Sequence, residues 1–235
     1  MLYRTQGIVL RTIPFGEADL IVKFLTLHYG IIGTFAKSPR RTKSRFGSSL
    51  EPLTNCQISF WGKEDTNLPR LTQADIIETN QELRETLRVF SSASKMADLT
   101  LRLLPEGLPN EKAYTLLRDS LKMARENPSI SEFISLAYLI KITDISGYGP
   151  SLKCARCGRQ ANGFYTSEGS VICSGCTGQG QLLKEKAIPL SAGTIKLYET
   201  LRSWQLEKIP RIKPSLVSVK EIERLLTTHI EYRGG

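Results

Sequence analysis

The sequence predicts an α+β protein, in which a β-rich N-terminal region precedes a helical remainder carrying a small cysteine insert. Three observations carry this prediction. Residues 1 to about 80 repeat Val, Ile, Thr and Phe with two-residue alternation, punctuated by glycine, as half-buried strands do. From about Glu82 the apolar spacing lengthens to three and four residues, the period of amphipathic helices. Residues 150 to 185 break both periods and hold four of the five cysteines.

Five strands are expected, over residues 5–13, 19–27, 31–37, 55–61 and 70–77. His28-Tyr29-Gly30 joins the second to the third as a tight hairpin, with glycine where a positive φ is needed. Five short antiparallel strands bury one face without long open edges by closing into a barrel, and the OB-fold is the commonest five-stranded version. The sequence therefore divides into an OB-fold domain over residues 1–80 and a helical domain over 81–235, with the insert at about 150–185.

In the helical part, Leu83, Leu87, Phe90, Ala97, Leu101 and Leu104 keep one phase up to Pro105 and predict a single long helix. A second helix starts after Asn110 and ends at Asn127-Pro128. The third opens with a capping box, Ser129 and Glu132. Its run 133–140 is apolar on nearly every side and predicts a buried bundle centre, with Gly147 as the stop. Two more helices are expected, from Ser191 to about 206 and from a second capping box at Ser218 and Glu221 to about 232, separated by a proline-containing connector over 209–214.

Composition bounds the function. The 235 residues are 40% hydrophobic and 23% charged, ordinary for a globular protein. Thirty-two Lys and Arg against 23 Asp and Glu leave a net charge of +9, which points to a polyanionic partner. The most apolar run, 133–142, is interrupted by Lys141 and is too short to span a bilayer. With no secretory signal in the first residues, a cytoplasmic location is expected, where cysteines are free, catalytic or metal-bound rather than disulfide-linked.

Cys154-Ala155-Arg156-Cys157 and Cys173-Ser174-Gly175-Cys176 form C-x2-C, fifteen residues, C-x2-C, a spacing that suits a tetrahedral zinc site. Cys154, Cys157, Cys173 and Cys176 are thus the expected ligands of one Zn2+. Gly158 and Gly175 suit the tight knuckle turns. Four thiolates close the coordination shell, so the expected role is structural; catalytic zinc keeps a position open for water. Cys56 reads as a small buried side chain. Loading the site would bring the net charge from +9 to about +7, since the ligating thiols lose their protons.

The densest charge feature is Lys37-Ser38-Pro39-Arg40-Arg41-Thr42-Lys43-Ser44-Arg45-Phe46, with five cations and no acid in its first nine positions. Such a loop can track a phosphate backbone through Lys37, Arg40, Arg41, Lys43 and Arg45. Phe46, Trp61 or Tyr29 could stack on bases, although core packing is the favoured expectation for Phe46 and Trp61. Arg11, Lys23, Arg156, Arg159, Lys208, Arg211 and Lys213 could extend the positive surface. No phosphate loop, dinucleotide fingerprint, nucleophile elbow or H-E-x-x-H motif is present. The acids Glu64-Asp65 sit in a loop-like polar segment unsuited to a two-metal nuclease. At this level three classes remain: a DNA-binding protein without catalysis, a zinc-ribbon transcription or RNA-binding module, and a zinc hydrolase.

Gly7-Ile8-Val9-Leu10, Gly16-Glu17-Ala18-Asp19, Ile21-Val22, Gly30, Ala36-Lys37, Arg40-Arg41, Lys43-Ser44-Arg45-Phe46 and Leu50-Glu51-Pro52 resemble, in type and spacing, the bacterial RecO family of DNA-repair proteins. The resemblance extends over the barrel, the helical domain and the four-cysteine insert. Ser38-Pro39 departs from it, standing where many members have glycine after the lysine. It implies a recombination mediator of the RecF pathway, without catalysis, located in the cytoplasm at the nucleoid and not on a membrane. Such a protein binds single- and double-stranded DNA, anneals strands coated by the single-strand-binding protein, and with RecR helps RecA load. It also implies DNA contact at Lys37, Arg40, Arg41, Lys43 and Arg45, the matched positions.

Overall fold

A computed structural model describes residues 1–40, 44–62, 68–160, 162–166, 169–177 and 187–233. Five strands open it: β1 (Leu2–Phe15), β2 (Asp19–Thr26), β3 (Gly30–Ala36), β4 (Asn55–Trp61) and β5 (Arg70–Glu78). β1 runs longer than expected because its first residues pair with β4 and its last with β2. Antiparallel pairs join β2 to β3 and β4 to β5. The sheet closes in the order β1-β2-β3-β5-β4, through one parallel pair between Phe35 and Arg70. The Phe35 amide strengthens that seam by donating to the Pro69 carbonyl at 2.8 Å. This is the OB-like sheet that the alternation predicts. Its inner face buries Val22, Phe24, Ile58, Phe60 and Leu71, and Phe46 enters the same core from the loop after β3.

Gly30 opens β3 with φ of +66°, and the Leu108 carbonyl oxygen lies 2.2 Å from where a Cβ would stand. Glycine is required there twice over, by backbone conformation and by the chain crossing it. The Gly107 amide donates to Ile31 O at 2.9 Å, and Glu106 forms a parallel bridge with Ile31, so this short stretch pairs with the start of β3.

After a 3-10 turn at Gln81–Arg84 come α1 (Leu87–Leu103), α2 (Glu111–Glu126), a second 3-10 turn at Pro128–Ile130, and α3 (Ser131–Ile145). The single long helix expected from residue 82 is interrupted at 85–86. There Thr86 takes an extended conformation and its side chain caps Val89 N, a local bond that competes with helix continuation. Asn110 caps α2 through Ala113 N as its position suggests. The box at Ser129 and Glu132 does not form, because Ser129 lies inside the 3-10 turn. Residues 133–140 of α3 are buried throughout. At its end the Gly147 amide reaches Asp144 O at 3.1 Å and the Tyr148 amide reaches Thr143 O at 2.8 Å, a Schellman closure.

The chain forms two compact units, Met1–Tyr138 and Leu139–Gly235, which divide within α3. In the first, α1 and α2 are tied to the sheet region by Arg11–Asp98 (2.7 Å) and Arg125–Glu78 (2.5 Å). The Tyr114 hydroxyl lies 3.0 Å from Asn55 Oδ1. The second unit holds β6 (Gly163–Tyr165), β7 (Val171–Cys173) and β8 (Ile188–Leu190), paired in the order β7-β6-β8, then α4 (Ala192–Ser203) and α5 (Leu216–Arg233). The connector between these helices carries a 3-10 turn at Leu206–Arg211. Ser191 caps α4 through Thr194 N at 3.2 Å. Glu221, expected to close its own helix, instead accepts from Ser191 N (3.2 Å) and Thr194 Oγ1 and so caps α4. α5 starts two residues before Ser218, with Ser215 Oγ accepting from Val217 N. Among the described residues, no helix is long and apolar enough to cross a membrane.

Candidate metal centre and nucleic-acid interface

Two knuckles and a three-residue strand bring the cysteines together. Gly158 takes φ of +72° and its amide donates to Cys154 O at 2.8 Å, closing the first knuckle. The Cys176 amide donates to Cys173 O at 2.9 Å in the second. Gly175, expected to serve in the same way, has no positive φ and open space where its side chain would stand, so nothing there demands glycine. The knuckles are tied directly: Ala155 N donates to Val171 O at 2.8 Å and Arg156 Nη1 to Cys176 O at 2.7 Å. Arg156 therefore works inside the insert.

The Sγ atoms of Cys154, Cys157, Cys173 and Cys176 all lie within 4.8 Å of one another. Cys157 Sγ and Cys173 Sγ are 3.7 Å apart. That is far beyond a disulfide bond of about 2.05 Å and close to the edge, about 3.8 Å, of a tetrahedron built from Zn–S bonds of about 2.3 Å. The donor set therefore fits a soft tetrahedral cation. The backbone helps: the Cys173 amide points at Cys154 Sγ (3.4 Å), and such amide donors pull the Cys154 thiol down to about 6. Cys157 is lowered first by the Arg159 amide. Cys176 is pushed up to about 12, mainly by the neighbouring Cys157 and Cys173 sulfurs. A divalent cation relieves that crowding of sulfurs by replacing their protons.

Cys56 is of a different kind. It is buried in the sheet core and its thiol donates to Ser49 O at 3.1 Å, the small core residue that its strand position suggests.

Arg41 and Lys43 of the basic segment, and Glu64-Asp65, lie outside the described residues. Lys37, Arg40 and Arg45 are exposed. Both ends of the segment are held. Ser38 N donates to Asp19 Oδ1 at 2.6 Å and Arg40 N to Ala18 O at 3.3 Å. At the far end Phe46, only 3% exposed, is part of the core, and the Arg45 guanidinium lies 4.8 Å from its ring centroid. Phe46 is thereby an anchor and not a stacking surface. Tyr29 is also taken by packing, edge-on to Tyr3 and Phe60. Trp61 reverses its expectation: it is 56% exposed, because its neighbour Phe60 faces the core and strand alternation turns Trp61 outward.

Ion pairing sorts the cations. Arg11 is paired with Asp98 and Lys23 with Glu106 at 2.5 Å, which removes both from the expected positive surface. Arg84, Arg125 and Arg202 are likewise matched by Glu51, Glu78 and Asp144. Among the described residues no acid pairs with Lys37, Arg40 or Arg45. Arg159, Lys208, Arg211 and Lys213 are exposed in the second unit.

Comparison with known proteins decides the family. The family model described as Recombination protein O N terminal matches residues 1–80, and Recombination protein O C terminal matches residues 84–235. The chain belongs to the RecO family. A DNA repair protein RecO of Thermodesulfovibrio yellowstonii is 41% identical over 233 residues, covering 98% of this chain and 92% of that protein. RecO of Rubrobacter xylanophilus is 33% identical over 83% of the chain and 78% of its own length. RecO of a Thermoanaerobacter species is 31% identical over 98% and 92%. Membership of the RecO family makes this a DNA-repair protein, and the family is one of repair mediators rather than a known class of enzyme.

Proposed function

We propose that this RecO-family chain is a recombination mediator of the RecF pathway that works by binding and not by catalysis. It binds single- and double-stranded DNA through Lys37, Arg40, Arg41, Lys43 and Arg45, anneals complementary strands, and acts with RecR to help RecA load onto DNA coated by single-strand-binding protein. Residues 1–80 form its DNA-binding domain. Residues 81–235, with the insert at about 150–185, form the helical domain. It works in the cytoplasm, at the nucleoid.

The observation that carries this reading is the contrast within the cations of a family member: Arg11, Lys23, Arg84 and Arg125 are spent on acids, whereas Lys37, Arg40 and Arg45 stand exposed on a segment pinned at both ends. Annealing brings two polyanions together. Cations held in place lower that repulsion and raise local strand concentration with no bond made or broken. Cys154, Cys157, Cys173 and Cys176 hold one structural zinc, which ties the two knuckles and, with four thiolates around it, leaves no position for water.

The test is annealing of unrelated complementary oligonucleotides, free and coated by single-strand-binding protein. Faster annealing with intact strands supports the mediator. Cleaved strands would support a zinc hydrolase, and binding confined to one sequence or to RNA would support a zinc-ribbon module.

A further inference from the structure

The two ends of the sheet differ in what they present to solvent. At the Gly30 end residues 106–108 pack against the start of β3, and Lys23 pairs with Glu106. At the opposite end, cross-strand partners continue outward around the sheet: Leu2 opposite Trp61, Trp61 opposite Arg70, Arg70 opposite Phe35, and Phe35 opposite Ile21. Their neighbours Phe60, Leu71, Ala36 and Val22 face the core, so these side chains share the outer face. Trp61 is 56% exposed and Leu2 64%, and Arg70 is also exposed. Phe15, 53% exposed, lies edge-on to Phe35 with centroids 5.8 Å apart.

This bare aromatic end adjoins the basic segment. Phe35 is two residues from Lys37. The turn after Phe15 accepts the Arg40 amide at Ala18 and the Ser38 amide at Asp19. The turn also carries the exposed acid Glu17, while among the described residues no acid pairs with Arg70. Exposed rings beside unpaired cations are what an unpaired nucleic-acid strand requires: phosphates meet the cations and base faces meet the rings. A duplex, whose bases are already stacked, gains nothing from the rings.

We propose that Trp61 and Phe15, with Arg70 between Trp61 and Phe35, form a stacking platform for the bases of single-stranded DNA, continuous with the basic segment. The platform rests on the DNA-binding reading above and adds to it a preference for unpaired bases.

The chain has two tryptophans, so Trp204→Phe leaves Trp61 as the sole indole reporter. Its fluorescence is expected to be quenched by an oligothymidylate and left unchanged by an abasic strand of equal length and by a blunt duplex. Trp61→Ala should weaken oligothymidylate binding about 5- to 100-fold, with the salt slope and duplex affinity unchanged; Trp61→Phe should keep most of the affinity. Both positions are exposed, and thermal denaturation checks that each variant is folded. Quenching by the abasic strand, or equal losses for single strand and duplex, overturns the platform. If Trp61→Ala leaves single-strand binding intact while Arg40→Glu abolishes it, the basic segment stands and the platform falls, and the apolar band is then a surface for another protein. If the native chain binds no DNA, both fall.

Discussion

The basic segment after β3 and the cysteine insert after α3 are held by opposite means. The first is fastened from inside. Phe46 is inserted into the sheet core, Arg45 lies over its ring, and two backbone amides at the entry bind the β1–β2 turn. The second has strands of only three residues, and its knuckles meet around four sulfur atoms within 4.8 Å. A segment anchored in an apolar core leaves its polar groups free for a ligand. One that closes around its own sulfur atoms commits donors to itself, as Arg156 does with Cys176 O. The difference explains why the reading of function rests on the first and the reading of stability on the second.

Removing the metal should break that comparison most completely. Chelation, or Cys154→Ser with Cys157→Ser, is expected to take bound zinc from one per chain to none and to expose the insert to protease. A metal at a thousandfold its Kd contributes about 4 kcal/mol to the structure that binds it, so in the Trp204→Phe chain the insert should open while Trp61 emission, a reporter of the sheet unit, stays constant. Native protein that contains no zinc by metal analysis would remove the site altogether. Emptying the other anchor should cost slightly less. Phe46→Ala leaves a cavity in the sheet core and is expected to destabilise the first unit by about 3 kcal/mol, read as a lower midpoint in urea. A loss confined to the second unit would show that Phe46 does not hold the segment.

Much of this comparison was legible in the sequence, and what was not has identifiable causes. Strand alternation located all five strands of the sheet because core-facing positions recur every second residue, as at Cys56, Ile58 and Phe60 of β4, whose bounds agree at both ends. The cysteine spacing located the cluster because a knuckle is local chemistry. Legibility failed where the deciding partner is distant in sequence. Leu83 keeps the phase of α1 although it sits in a separate 3-10 turn, because burial, and not helix continuity, places it. Ser218 and Glu221 have the spacing of a capping box, yet Glu221 is claimed by Ser191 and Thr194 on another helix. Arg11 and Lys23 are indistinguishable from Arg40 by residue type, and only the fold supplies Asp98 and Glu106 to the first two. Trp61 needs no distant partner: alternation from Phe60 already turns it outward.

Charge reversal separates ligand-facing groups from structural ones. Lys37→Glu with Arg40→Glu should leave folding stability within about 0.5 kcal/mol, as for surface substitutions generally. The salt dependence of DNA binding should flatten by roughly 0.7 to 0.9 in slope for each phosphate that the protein no longer neutralises. The same reversal at Arg11, already held by Asp98, should leave the slope unchanged. One common slope for the native chain and both variants would sink the assignment of the basic segment.

The last contrast concerns the fifth cysteine, whose pH-dependent part is absent at neutral pH, and tests the core side of the comparison. Burial, then the Asp75 carboxylate, pushes the Cys56 thiol up to about 12 from an ordinary 9.0. Below pH 9 the folded and unfolded chains both keep this proton, and its contribution is fully present. Above pH 9 the unfolded chain releases it first, so the sheet unit loses stability progressively until pH approaches about 12. Tyr138, raised by burial, adds to the fall only above its ordinary 10.0, which leaves pH 9 to 10 chiefly to the thiol. Cys56→Ala gives up the hydrogen bond to Ser49 O, about 1 kcal/mol at any pH, but should flatten the urea midpoint across that window. Native and Cys56→Ala chains that decline in parallel from pH 9 to 10 would mean that the buried thiol does not set the alkaline limit of the sheet unit.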